Sequence, residues 1–208
     1  MSADPSVLAP EPAGPGTSDS WVYVVTDIEV DGPHPGPNSL RSFASVAMTA
    51  SGGECGRFEA VLESLPGAAP NPETYAWFQT VPEAWSACTT GARPVSIVLD
   101  DYVQWLRELP APRTFAACPL GFDGTWMDHY LRRFTPYGLA QGPYERDRIF
   151  HGPGLCIASF AAARLGRAPG GFEPSSLDPR LLGDVPHTHR AIDDAVGYAH
   201  LLRTLLTG

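Results

Sequence analysis

Positive charge is scarce in this chain: 14 Lys and Arg stand against 23 Asp and Glu, for a formal net charge of −9. A protein that grips long nucleic acid by its phosphates normally carries a basic stripe. Its lack here counts against a high-affinity, sequence-general duplex binder and points to a grip at a chain end or on a short oligomer. Long apolar runs are also missing. No stretch approaches the roughly 18 apolar residues that span a bilayer, and no basic segment followed by an apolar run opens the chain, so the expectation is a soluble, cytoplasmic protein with no membrane partner. Cysteine is sparse and unpaired in pattern: Cys55, Cys88, Cys118 and Cys156 form no C-x-x-C, which points to reduced, mostly buried thiols. Internal repeats are lacking too. What the 208 residues do have is 43% hydrophobic content, enough for one sizeable core. The 22 Pro and 21 Gly are scattered as turns, without a fibrous period.

Residues 1–20 are Pro, Ala, Gly and Ser with acids, too poor in apolar periodicity to fold, and read as a disordered leader. Residues 21–208 read as one domain. Trp21 to Ile28 is a run of β-branched and aromatic residues, the pattern of a buried strand. After a loop with three prolines, Ser39–Thr49 and Cys55–Leu62 read as strands joined by a Ser51-Gly52-Gly53-Glu54 turn. Glu73–Thr80 and Pro82–Cys88 read as short helices, and Val95–Leu109 as an amphipathic one. Thr114–Cys118 reads as a strand, followed by helices at Phe122–Phe134, Gly154–Leu165 and about Arg190–Leu206. Three strands, helices, one strand and more helices imply an α/β fold whose mixed sheet starts with an antiparallel meander.

Three segments carry candidate chemistry. Asp27 and Glu29 stand two residues apart on the apolar first strand and so share a face. Two like charges there are costly unless a cation lies between them, or unless the strand frays at residue 27 and both meet water. Asp123 follows Gly121-Phe122 at the opening of a helix, where it serves equally as a cap. The third segment is Pro186-His-Thr-His189-Arg-Ala-Ile-Asp-Asp194. At about 100° per residue, Asp194 aligns with the apolar Tyr198, Leu201 and Leu205, whereas Asp193 aligns with the polar Arg190 and His200. The plainer alternative is a pair of favourable first-turn acids. Gathered at one sheet end, Asp27, Glu29, Asp123 and Asp194 need divalent cations, and oxygen ligands favour two Mg²⁺ or Mn²⁺ ions. A pair of such ions stabilises the attacking and leaving oxygens of phosphodiester hydrolysis, with His189 as the group to deprotonate water.

The order Thr26-Asp27-Ile28-Glu29, Gly121-Phe122-Asp123 and His189-Arg-Ala-Ile-Asp-Asp194-Ala resembles the three motifs of the DEDDh 3′-to-5′ exonucleases. That family includes proofreading exonucleases, ribonuclease T and oligoribonuclease. Asn71 to Phe78, Val103 to Leu106, Gly121 to Asp123 and Arg146 to Arg148 are similar to exoribonuclease-like members related to the exonuclease VIII nuclease domain. The resemblance spans about residues 21–207 and implies a ribonuclease-H-like fold. It implies that Asp27, Glu29 and Asp194 bind the ion that activates water, and that Asp27, with Asp123 through water, holds the ion on the leaving-group side. It further implies His189 as general base, the Val30 backbone at the 3′-terminal sugar, and single-stranded or short nucleic acid as substrate, in a family where homodimers are common. Here Glu29 is followed by Val30-Asp31-Gly32-Pro33-His34 where the family continues with Thr and Gly. The Pro-rich stretch at 33–37 therefore favours dinucleotides, short oligonucleotides or a small nucleotide-like phosphoester. The alternatives are a phosphodiesterase on such a small substrate in a biosynthetic pathway, and a catalytically silent binding module.

His187-x-His189 has the look of a zinc pair, but no third ligand stands near it in the sequence. Asp100 and Asp101 fall on a solvated helix face. Of Trp77, Trp85, Trp105 and Trp126, only Trp126, three residues after Asp123, is placed to stack on a base. Arg146, Asp147 and Arg148 read as an ordinary charged loop.

Overall fold

The computed structural model describes residues 20–142, 144–168 and 176–208. The leader expected over residues 1–20 lies outside these, apart from Ser20.

A five-stranded mixed sheet has the order β3-β2-β1-β4-β5. Strands β1 (Val22–Val30), β2 (Leu40–Thr49) and β3 (Glu54–Val61) form the antiparallel meander. Strand β4 (Arg113–Ala117) lies parallel to β1, and the two-residue β5 (Leu155–Cys156) lies parallel to β4. The hairpin turn between β2 and β3 closes on Gly52, whose φ of +89° suits glycine.

Both faces of the sheet are covered. On one, Val22, Val24, Ile28, Leu40 and Phe43 pack against α3 (Val95–Glu108) and α4 (Leu120–Phe134). The α3 stripe of Val95, Val98, Leu99, Tyr102 and Leu106 is buried as its spacing requires. A buried chain of hydroxyls ties this helix to the sheet: Thr26 Oγ1 lies 2.7 Å from Ser45 Oγ, which lies 3.1 Å from the Tyr102 hydroxyl. On the other face, Val25, Ala44, Val46 and Ala116 pack against α5 (Ile157–Arg164) and α6 (Ala191–Thr207). Two short helices, α1 (Pro72–Phe78) and α2 (Pro82–Thr89), form a small satellite cluster around Phe78, Ala84 and Cys88. Asn71 caps α1, its side chain accepting from the Glu73 and Thr74 amides.

Two segments differ from the sequence-based expectation. The helix expected over Gly154–Leu165 starts only at Ile157, because Leu155 and Cys156 pair with Ala116 and Ala117 at the sheet edge. Helix α4 starts at Leu120 rather than Phe122, and its cap position is Pro119. Asp123 is thus inside the first turn and does not cap the helix.

The proline loop after β1 is pinned at both ends. The buried Asp31 accepts from the Ser39 amide at 2.6 Å, and its carbonyl accepts from the Asn71 amide at 2.7 Å. Asn38 accepts from the His34 amide and donates to the Ala69 carbonyl. No helix among the described residues is long and apolar enough to cross a membrane.

Candidate active site

Alternation along β1 sends Val22, Val24 and Ile28 into the α3–α4 core and Val25 into the α5–α6 core. Asp27 and Glu29 share the parity of Val25 and therefore emerge on the α6 side. There they meet Asp194, in the first turn of α6 and only 5% exposed. Carboxylate oxygens of Asp27, Glu29 and Asp194 all lie within 4.8 Å of one another. Asp193 takes the solvent side instead, accepting from the Thr188 hydroxyl at 2.7 Å with Arg190 at 3.8 Å.

Asp123 arrives from the opposite layer. Pairing of β1 with β4 stops at Val25↔Ala116, so the Ile28 amide beyond it is available to the Asp123 carboxylate, which accepts it. Asp123 stands outside the tight trio but close enough for its charge to act on Asp27 and Glu29.

Burial and crowding oppose ionisation at this sheet end. Burial pushes Asp27 well above its ordinary value, and the charges of Asp123, Glu29 and Asp194 add to that. Glu29 is pushed up to about 8 by burial, then by Asp194 and Asp123. Asp123 is pushed up to about 7 by burial, against hydrogen bonds from its own amide and that of Ile28. Among the described residues, no arginine relieves any of the three. A largely buried, all-oxygen set whose ionisation is opposed by crowding is the donor chemistry that hard divalent cations favour.

Both histidines of the 186–189 segment reach this centre. Nitrogens of His187 and His189 and an Asp194 oxygen lie mutually within 4.8 Å. His187 Nδ1 is 2.7 Å from Asp194 Oδ1, and that hydrogen bond pushes its pKa up. Burial, followed by the neighbouring His187, pushes His189 down. His189 adopts a left-handed φ of +56° and sets its ring edge-on to Trp77, 4.9 Å between centroids.

Beside Glu29 opens a cleft of about 330 Å³. It is lined by Ile28, Glu29 and Val30 of β1, by Gly32 and Pro33 of the proline loop, and by Thr74 and the rings of Trp77, Phe78 and Phe122. Trp77 and Phe122 are 40% and 42% exposed, unusual for rings this large.

This arrangement sits on a sheet and helix layout shared with solved nucleases. E. coli exonuclease I in complex with a dT13 oligonucleotide superposes with a TM-score of 0.62 at 14% identity, over 88% of this chain and 40% of that one. The nuclease domain of 3'hExo, a DEDDh family member bound to rAMP, superposes with a TM-score of 0.60 at 11% identity, over 91% of this chain and 92% of that domain. The chain has the fold of the DEDDh exonucleases. Exonuclease I from Methylocaldum szegediense superposes at 0.50 and 19% identity over 74% of this chain. The chain spans about two fifths of the length of the E. coli exonuclease I chain that it matches. No family model matches the sequence, and no curated protein matches it.

On this DEDDh fold, the structure gathers Asp27, Glu29 and Asp194 tightly, with Asp123 adjoining and His189 at the rim. Val30, where the β1–β2 register slips, lines the cleft. Two neighbours, His187 and Trp77, were not legible beforehand. His187, set aside in favour of His189, is the histidine actually hydrogen-bonded to Asp194; its two-residue spacing from His189 was the available signal. Trp126 is not a stacking ring, since it is 1% exposed in the α4 core. Trp77 is the accessible one, and Asn71-Pro72 capping helix α1 beneath it was the clue to its placement. Asp147 is occupied by Arg107 and Tyr137, as an ordinary charged loop would be.

Proposed function

We propose that the chain is a metal-dependent 3′-to-5′ exonuclease that hydrolyses single-stranded RNA or DNA, or short oligonucleotides, to nucleoside 5′-monophosphates. The observation that carries this reading is the trio of Asp27, Glu29 and Asp194 oxygens within 4.8 Å on a fold shared with exonucleases. Asp27, Glu29, Asp123 and Asp194 would hold two Mg²⁺ or Mn²⁺ ions, whose chemistry is activation of water and stabilisation of charge on the phosphate oxygens. His189, whose pKa is pushed down by burial and then by His187, would accept the proton of the attacking water. Trp77 and Phe122 stack on the terminal base, while the Glu29–Val30 backbone meets its sugar. Pro33 also lines the cleft, where it would limit the room beside the terminal nucleoside.

That same proline supports a second reading, in which a small nucleotide-like phosphoester is the natural substrate. A panel of dinucleotides, long oligomers and mononucleotide esters, with products identified by mass spectrometry, separates the two.

The test of the site uses a 5′-labelled oligonucleotide with Mn²⁺ or Mg²⁺. Stepwise shortening from the 3′ end is expected, abolished by EDTA. Asp27→Asn and Asp194→Asn should each lower turnover by about a hundred- to a thousandfold or more, the scale of losing one preorganised charge-stabilising group. Variants that cleave like the unmodified protein refute the assignment. Tight oligonucleotide binding with no product under any divalent ion identifies a silent binding module instead.

A further inference from the structure

A second metal-binding set lies against the first and differs from it in donor chemistry. His187 and His189 are set aside as a zinc pair on sequence grounds for want of a third ligand, and the fold supplies one. Asp194 brings a carboxylate oxygen within 4.8 Å of a nitrogen on each ring, and the two nitrogens are equally close to each other. We propose that His187, His189 and Asp194 form a zinc site that competes with hydrolysis by engaging Asp194 and His189.

The donors decide the ion. Two imidazoles and one carboxylate suit Zn²⁺, whereas Mg²⁺ favours oxygen ligands alone. Tetrahedral zinc with bonds of about 2.0–2.1 Å holds its donors a little over 3 Å apart. His187 Nδ1 and Asp194 Oδ1, at 2.7 Å, are already near that separation. The pair need only part by a few tenths of an ångström, which rotation of the His187 ring, 57% exposed, allows. The rings stand 4.4 Å apart at an interplanar angle of 68°, so they do not stack flat against each other. Three protein donors leave a fourth position for water. Because residues 187 and 189 lie at the surface end of α6, the ion enters from solvent without opening the core.

Asp194 belongs to both sets, and one carboxylate cannot serve both fully. Zinc held by the histidines also withdraws the lone pair of His189 that would take a proton from water. The zinc site stands on geometry alone; its effect on hydrolysis rests on the nuclease reading.

The experiment therefore has two arms. In the first, zinc chloride is titrated into the full chain at neutral pH by calorimetry, and the bound ion is examined by zinc K-edge X-ray absorption. One zinc per chain with two imidazole ligands is expected. His187→Gln should weaken binding by about 10- to 100-fold or more, since even outer partners of a ligand carry that much. His187→Cys, which supplies another zinc ligand, should restore it. Asp27→Asn, which removes a neighbouring carboxylate that is not a ligand of this site, should lower zinc affinity much less than His187→Gln does. Zinc affinity that ignores His187→Gln but falls with Asp27→Asn overturns the proposal, as does an absence of saturable binding. In the second arm, zinc should inhibit Mg²⁺-supported cleavage by the unmodified protein, and His187→Gln should resist it relative to its own Mg²⁺-supported rate. If no divalent ion supports cleavage, the nuclease reading fails while the first arm still decides the zinc site.

Discussion

Replacing Glu29 with Gln should stabilise the metal-free protein, and increasingly so as pH rises. Glu29 is buried among like charges, and its folded-state pKa is pushed from the ordinary 4.5 up to about 8. A carboxyl raised in this way costs nothing below pH 4.5, where folded and unfolded forms are both protonated. The cost grows between 4.5 and 8 and is constant above. At about 1.4 kcal/mol per pH unit, holding Glu29 at pH 7 costs the fold roughly 3 kcal/mol. Glu29→Gln removes that burden, for a rise in Tm of about 6–12 °C on a chain of this size. The assay is thermal and urea unfolding in EDTA at pH 5, 6, 7 and 8, far-UV circular dichroism giving the folded fraction. The difference between variant and unmodified protein should widen with pH. Addition of Mn²⁺ should reverse the order, because only the intact carboxylate set binds the ion well and gains stability by mass action. If Glu29→Gln is the less stable form in EDTA at every pH, Glu29 is neither desolvated nor crowded, and the electrostatic case for a cation site falls with it.

Two further outcomes follow from the cleft. Trp77→Ala should weaken capture of the terminal nucleotide by about 1–3 kcal/mol, the worth of one stacked base. This should be read as a rise in KM for oligonucleotides with a smaller change in kcat; an unchanged KM would remove Trp77 from the substrate path. Gly32→Ala places a Cβ 2.2 Å from the Asn38 Cγ, so the proline loop must shift. Because Asn38 is buried and holds the His34 amide and Ala69 carbonyl, the expected result is a lower Tm together with altered preference between dinucleotides and longer oligomers, and unchanged preference would separate the loop from specificity.

Much of this architecture is legible in the chain because its signals are local and periodic. The i, i+2 placement of Asp27 and Glu29 on an apolar strand fixed their common side, and the helical stripe through Tyr198, Leu201 and Leu205 singled out Asp194 over Asp193. The α3 stripe likewise predicted which residues are buried. What sequence spacing could not reveal depends on pairing between distant segments. Leu155 and Cys156 look like the start of an apolar helix until Ala116 and Ala117 offer them a strand edge. Trp126 sits one turn after Asp123 and within about 60° of it around the helix, close enough to suggest a shared role, yet its larger ring packs into the α4 core at 1% exposure. The partnership of His187 with Asp194 needs the chain to fold back from residue 187 onto α6, which a left-handed residue at 189 brings about. The buried ion pair of Asp31 and Arg41, 3.9 Å apart, joins two segments whose charges look unremarkable separately.

The hydrogen bond from the Asn71 amide to the Asp31 carbonyl joins the proline loop to the base of helix α1. Pro33 and Trp77, which both line the cleft, are thereby mounted on segments tied to each other at their bases. A guest that is too broad cannot push one of them aside without straining that tie. On the proposed nuclease reading, Asn71→Pro, which removes the amide of that tie, should broaden the range of oligonucleotides cleaved rather than merely slow the reaction.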